Sequence, residues 1–439
     1  MTWTIEKDRL IPFSVYPFIG RVAKEYLSAY PGDHKKTSKT MGVLMIRKFS
    51  LLLLCILLLL TGCWNARELD ELSIASMISI DKSDENKYEV TAQIINPAQY
   101  VEEERTDRAP VATHNVSGAS VFEGIRRLTI HIPRKLYLAH IRVVVISEEI
   151  AEEDFTEVLD FFFRDHEVRT DFFIVISKDQ PAKNVLKVLS RIEELPAEKV
   201  FSSITFSEEN WAPTKGMQID DIIEQFILDG QNPVVTGIKV VGDQEVGGRR
   251  EHVETIETEA VLKLHNLAAF REGKLVGWMT EDQSIGYNYI RGNVQSTLGV
   301  IPCINDNITY EVIRSESSID AKLVNGEPMV NVTISTEGNI AEVTCDLETS
   351  PQTIKKLEKQ IANNIETLAI SSINRAQTDF KSDIFGFGEQ IRRSDPTYWK
   401  SVKNGWNTHF EDLEVNVDVD FSIHHTGTLT ESFINDKKN

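Results

Sequence analysis

The sequence predicts an α+β protein of more than one domain, with mixed and antiparallel sheets, packed helices and one long amphipathic helix lying across a C-terminal sheet. Three observations predict it. Short apolar runs alternate with helical-period segments in the first half. Alternating strands separated by turn residues dominate 260–346. From Pro351 the apolar period changes to three and four residues and keeps that spacing for nearly thirty positions.

The 439 residues are enough for two or three domains with real cores, and 41% hydrophobic with 26% charged residues excludes a disordered or low-complexity chain. Beyond Cys63, 38 cationic side chains face 63 anionic ones, a net charge of about −25 on residues 64–439. Such a surface repels phosphate backbones and argues against nucleic acid as a partner. The four cysteines, Cys55, Cys63, Cys303 and Cys345, form neither a CxxC pair nor a zinc-type cluster, so no metal or cofactor is expected. Whether Cys303 and Cys345 pair is left open by the sequence.

Leu51–Leu60 is an unbroken apolar run. As a helix it spans about 15 Å against a bilayer core of about 30 Å, too little to cross. Arg47 and Lys48 precede it and Leu60-Thr61-Gly62-Cys63 follows, which is the layout of a signal peptide with small residues at its cleavage point. The expectation is a signal peptide over 45–62, cleaved between Gly62 and Cys63. The mixed leader, 1–44, fits no signal pattern and is read as an over-extension of the gene, with translation starting at Met41 or Met45.

In the mature chain, Ile74–Ile80 and Tyr88–Ile94 read as a β-hairpin. Asp81, Ser83 and Glu85 have the opening spacing of a calcium loop, but Asn86 stands where glycine is needed and Ala92 where glutamate is needed; the segment is a turn. A helix at 120–128, a strand at 141–146, a helix at 154–164, a strand at 172–176 and a helix at 181–192 follow. Polar residues over 202–216 suggest a boundary. A hairpin turns at Arg271–Lys274; strands are expected at 308–313, 321–324, 329–336 and 340–346; the long helix starts at Pro351, and Leu413–Phe421 is a final strand. The expected domains are 63–200 (α+β), 201–258 (a small middle domain or linker) and 259–430 (α+β), with a flexible tail at 431–439.

No G-x-S-x-G, H-E-x-x-H, phosphate-binding loop or complete G-x-G-x-x-G is present. Gly386-Phe387-Gly388 lacks the third glycine and reads as a turn between helices. His140 reads as an orienting or core histidine, His424-His425 as solvated, Phe161-Phe162-Phe163 as core, and the acidic run from Glu148 to Asp154 as a solvated helix start.

Two distant stretches carry a family resemblance. Cys63-Trp64-Asn65-Ala66-Arg67-Glu68-Leu69-Asp70-Glu71-Leu72 resembles the "GCWDRREINEL" start of the Ger(x)C family of spore germination lipoproteins, with Asn65-Ala66 in place of the usual charged pair. Asp383-Ile384-Phe385-Gly386-Phe387-Gly388, with Trp399 and Trp406, resembles that family's C-terminal "DIFGFGE...W" signature; Leu136-Tyr137, His140, Phe162–Arg164 and Lys274–Trp278 also fit. The residue order at Leu60–Cys63 resembles a lipobox, so Cys63 is expected to carry an S-diacylglyceryl group and an N-acyl chain; two acyl chains anchor stably where one holds marginally.

The resemblance implies a non-enzymatic C subunit of a nutrient germinant receptor, on the outer face of the inner spore membrane, working with integral-membrane A and B subunits. The competing readings are a solute-binding lipoprotein of a transporter and a surface hydrolase. The sequence shows neither two similar lobes nor a nucleophile-base set to favour them. Asp383, Phe385, Gly386, Gly388, Trp399 and Trp406 are the candidates for a partner-facing surface, the alternative being that they pack the helix end against the sheet.

Overall fold

The computed structural model describes residues 47–52, 71–85, 87–97, 108–303, 306–345, 347 and 350–425. The chain separates into two compact units, Met1–Arg67 and Glu68–Asn439. In the first, 47–52 is helical; Gly62, Cys63 and the 1–44 leader lie outside the described residues, as does the tail at 431–439. Among the described residues no helix is long and apolar enough to cross a membrane.

Among the described residues, the second unit is α+β and built on two sheets. The first has nine strands: β1 (Leu72–Lys82), β2 (Tyr88–Ile95), β3 (Val111–Gly118), β4 (Lys135–Tyr137), β5 (Val143–Ser147), β6 (Phe173–Ser177), β7 (Val234–Gly242), β8 (Ala260–Arg271) and β9 (Lys274–Trp278). Their order is β3-β2-β1-β5-β6-β7-β8-β9, with β4 pairing β1. The centre β1-β5-β6-β7 is parallel and the flanks are antiparallel hairpins.

Nearly continuous apolar sequence in β5 and β6 follows from cover on both faces. Val144 and Ile146 point into one core with Val121 and Ile125 of α1 (Val121–Arg127) and Phe162 of α3 (Thr156–Arg164). Val143 and Val145 point into the opposite core, with Ala197, Val200 and Ile204 of α4 (Pro196–Asn210). Between these lie the short helix α2 (Glu148–Glu153) and, after α4, α5 (Ile219–Ile227).

The second sheet has the order β10 (Thr297–Cys303), β11 (Asp306–Val324), β12 (Glu327–Val343), β13 (Glu414–His425). Helix α6 (Glu281–Ile290) precedes it, opened by a capping box between Thr280 and Gln283. Helix α7 (Pro351–Arg375) packs across it, capped by Ser350 and continued by a π-turn, Ala376–Phe380. Leu357, Ile361, Ile365 and Ile373 share one buried core with Val330, Val332 and Ile334. Burial of each such side chain stabilises the pair by about 1.5–3 kcal/mol. The opposite face of β12, with Asn331, Thr333 and Ser335, is polar, as one-sided cover demands. Helices α8 (Phe387–Ser394), α9 (Pro396–Val402) and α10 (Trp406–Glu411) lead to β13, which runs parallel to β12 because α7 and these helices form a crossover.

Several expectations are corrected. The polar stretch at 202–216 is no boundary: α4 runs through it, because Ala197, Val200 and Ile204 form a buried stripe while Ser, Glu and Asn occupy the outer face. The segment 201–258 forms no small separate domain, since β7 is hydrogen-bonded between β6 and β8. At the start of the expected 259–430 domain, β8 and β9 belong to the first sheet. The helix expected at 181–192 shrinks to a 3-10 segment, Ala182–Lys187. There the carboxylate of Asp81 accepts the N–H groups of Ala182 (2.6 Å) and Lys183 (2.9 Å), and Leu189 N–H bonds Gly247 O, which draws the chain out straight. The four strands expected over 308–346 are two long ones, β11 and β12, with bulges absorbing the breaks in alternation.

Candidate functional site

The turn that follows α7 is wound around its own carboxylate. Asp383 Oδ1 accepts the N–H groups of Phe385 (3.1 Å), Gly386 (2.9 Å) and Phe387 (3.2 Å). Its Oδ2 accepts Gly388 N–H (2.7 Å) and Trp406 Nε1–H (2.9 Å). An aspartate followed at short range by glycines favours such a turn, since its side chain can satisfy donors that no regular element reaches. Gly386 sits at φ 77°, and a Cβ there would also meet Gln231 Oε1 at 2.8 Å. Asp383 is fully buried; burial pushes its carboxyl above the ordinary 3.8, and the bonds from Gly388, Trp406, Phe387 and Gly386 oppose that rise.

This turn joins the two sheets. Asp383 O accepts Asn232 N–H at 2.7 Å, just before β7, and Ser382 Oγ donates to Phe270 O of β8 at 2.7 Å. Arg291, after α6, donates through Nη1 to Phe385 O at 2.7 Å. Phe385 stacks on Phe387 at 5.0 Å and Trp399 meets Trp406 edge-on at 5.2 Å. Gly230, at φ 79°, lets its backbone pass so close that a Cβ would lie 2.6 Å from the Trp399 ring and 2.8 Å from Gly388 Cα.

The six residues expected to face a partner are therefore brought together, but inside the molecule. Asp383 and Phe385 are 0% exposed, Trp399 3% and Trp406 4%, while Gly386 and Gly388 are also buried. The packing alternative describes their positions. The reason is that five donors and several aromatic rings converge on one carboxylate, and that arrangement survives only away from competing water.

A second junction was missed by sequence reasoning. Glu148, expected to be solvated, accepts Trp278 Nε1–H (2.6 Å) and Lys178 Nζ (2.8 Å) on Oε1, and Asp179 N–H (2.9 Å) on Oε2. Burial alone would raise its carboxyl, but the bonds from Lys178, Asp179 and Trp278 outweigh it and hold the group below 4.5. The sole signal in the sequence was the tryptophan of Lys274–Trp278, whose indole N–H needs an acceptor when buried. Two further expectations are corrected. His140 is exposed rather than core, touching Tyr137 at 5.5 Å, because it falls in a turn before β5. Of Phe161-Phe162-Phe163 only Phe162 is fully buried, since three consecutive helical positions cannot share one face. His424 and His425 are exposed, as expected. Cys303 and Cys345 are joined in a disulfide that ties the end of β10 to the chain just after β12.

Among the described residues, no group of three or more His, Cys, Asp or Glu is arranged to hold a metal ion. What the site offers is mechanical: a buried carboxylate locks the β7–β8 end of one sheet to the helices that cover the other.

The sequence matches two family models. Residues 65–240 match the spore germination protein N-terminal domain, and 265–427 match the "Spore germination B3/ GerAC like, C-terminal" domain, which contains the Asp383 turn. The chain belongs to the Ger(x)C family of spore germination proteins. It is 30% identical over 400 residues to spore germination protein KC of Bacillus subtilis (strain 168), covering 87% of this chain and 97% of that protein. Spore germination protein B3 of the same organism is 24% identical, covering 89% and 99%, and spore germination protein A3 is 24% identical, covering 84% and 95%. The crystal structure of the GerBC protein is similar at 19% identity with a TM-score of 0.49, covering 79% of this chain and 96% of that one.

Proposed function

We propose that the chain is the lipid-anchored, non-enzymatic C subunit of a nutrient germinant receptor. Cleavage after Gly62 exposes Cys63, which carries a diacylglyceryl group on sulfur and an acyl chain on nitrogen. The protein then sits on the outer face of the inner spore membrane and takes part in triggering germination through the integral-membrane A and B subunits. The observation that carries this reading is the match of both domains to germination proteins along nearly their whole length. Eight residues separate Cys63 from Leu72, so at full extension about 30 Å links the anchor to the first strand. A scaffold locked at the Asp383 turn would meet membrane partners as a stiff body. The test is Cys63→Ala in sporulating cells: the protein is expected to leave the membrane fraction, nutrient-triggered germination to fall, and the A and B subunits to be lost from pull-downs. Normal membrane retention of the variant overturns the anchor, and absence of A and B from pull-downs of the wild type overturns the receptor reading.

A further inference from the structure

A cavity of about 530 Å³ lies between the 189–192 segment, α4, the 252–258 segment and the start of β8. Its chemistry is at odds with the rest of the chain. Although the protein carries 67 acidic against 47 basic residues, the ionisable side chains lining this cavity are Arg191, Lys199 and His252, with no carboxylate. The remaining wall is mostly hydrocarbon, including Leu189, Val261 and Leu262.

Two of the basic groups have unmet needs. Lys199 Nζ donates to Leu262 O and makes no ion pair among the described residues; burial holds its ammonium below the ordinary 10.5. His252 is 3% exposed, and its Nδ1 has no hydrogen-bond partner among the described residues. Lys199 is half-buried and His252 buried; cations withdrawn from water are normally paired, and buried ring nitrogens normally bonded. Arg191 is turned aside, donating to Ile256 O. The lining also carries Ile192, which is 92% exposed. An anion with a hydrocarbon body would supply the counter-charge that Lys199 lacks and, with the proton on Nδ1, an acceptor for His252, while its body covers the apolar wall.

We propose that this cavity binds a small apolar carboxylate, its carboxylate held by Lys199 and His252 and its hydrocarbon lying against Leu189, Val261 and Leu262. The same chemistry is found in a fatty acid from the bilayer and in a soluble aryl or alkyl acid. The inference needs no receptor partner, so it stands or falls separately from the function proposed above.

The experiment uses the full chain in phosphatidylcholine nanodiscs, with 4-fluorophenylacetate followed by fluorine NMR and decanoate as competitor. The acid is expected to bind, and the uncharged alcohol of the same carbon skeleton, 2-(4-fluorophenyl)ethanol, to bind at least about tenfold more weakly, the usual loss for a hydrogen bond to a charged group. Lys199→Met should weaken the acid by a similar factor and Lys199→Arg should retain it. Displacement by decanoate at lower concentration than by unlabelled phenylacetate supports the bilayer source; the reverse order supports a soluble acid. Equal binding of acid and alcohol overturns the proposal, as does a failure of both acids to bind, or undiminished binding by a Lys199→Met protein with a wild-type urea midpoint. If Lys199→Met does not fold, the acid-alcohol comparison on the wild type decides alone.

Discussion

Replacing Asp383 by asparagine keeps the shape of the side chain but exchanges one acceptor oxygen for an NH2 group. The amide oxygen can still receive Phe385, Gly386 and Phe387 if it takes the place of Oδ1. The NH2 then faces Gly388 N–H and Trp406 Nε1–H, donor against donor, where the carboxylate had accepted both. The site is fully buried, so water cannot take over. Each stranded buried donor costs about 1–3 kcal/mol, so the pair costs about 2–6 kcal/mol. Removing a buried charge offsets part of this, since burial raises the Asp383 carboxyl and its ionised form is the more costly one to bury. The net expectation is a loss of about 1 kcal/mol or more, the offset taking part of the cost of the two stranded donors. Urea unfolding of the full chain, followed by tryptophan fluorescence, measures it directly, because Trp399 and Trp406 report on this turn. A loss under about 0.5 kcal/mol, the size usual for a surface change, would refute the claim that the carboxylate locks the two sheets together.

Two further outcomes follow from the same structure. The Cys303–Cys345 disulfide closes a 42-residue separation, for which chain entropy predicts about 4 kcal/mol. Dithiothreitol and the Cys303→Ser/Cys345→Ser variant should lower the urea midpoint alike, and an unmoved midpoint under both would show that the link adds nothing. In acid, Glu148 and Glu389 are held below their ordinary 4.5, Glu148 by Lys178, Asp179 and Trp278 against its burial, and Glu389 by Arg392 before Arg393. A lowered carboxyl contributes stability that is present above its unfolded value and lost as pH falls through the folded one, so the loss falls below about pH 4.5. Asp383 and Asp81, both raised by burial, have the opposite sign and lose their contribution as pH rises above 3.8. Unfolding midpoints from pH 7 to pH 3 should show a shallower acid limb for Glu148→Gln than for the wild type; parallel limbs would remove Glu148 from the account.

How much was legible in the sequence depended on how local the cause was. Alternation in Tyr88–Ile94, the turn at Arg271–Lys274 and the three-four period after Pro351 each arise from one face meeting one core, so the hairpins and α7 could be read directly. Where structure depended on a partner far along the chain, the reading failed. Asp81 reaches across about a hundred positions to fix Ala182 and Lys183, and that converts an apparent helix into a 3-10 segment. The strand β7 looked like part of a separate middle domain because nothing local says that it lies between β6 and β8.

The sequence by itself determined the α+β class, the long covering helix, and the family through the Cys63–Leu72 and Asp383–Gly388 stretches; cleavage and anchoring at Gly62–Cys63 stand as a proposal from residue order. Those are properties of short windows, set by side-chain period and residue order. Only the tertiary structure decided that the same stretch faces inward, that Glu148 holds Trp278, and that Lys199 and His252 share a cavity without a carboxylate. Burial and pairing are sums over neighbours brought together by folding, and a carboxylate reads the same in sequence whether water or five protein donors surround it.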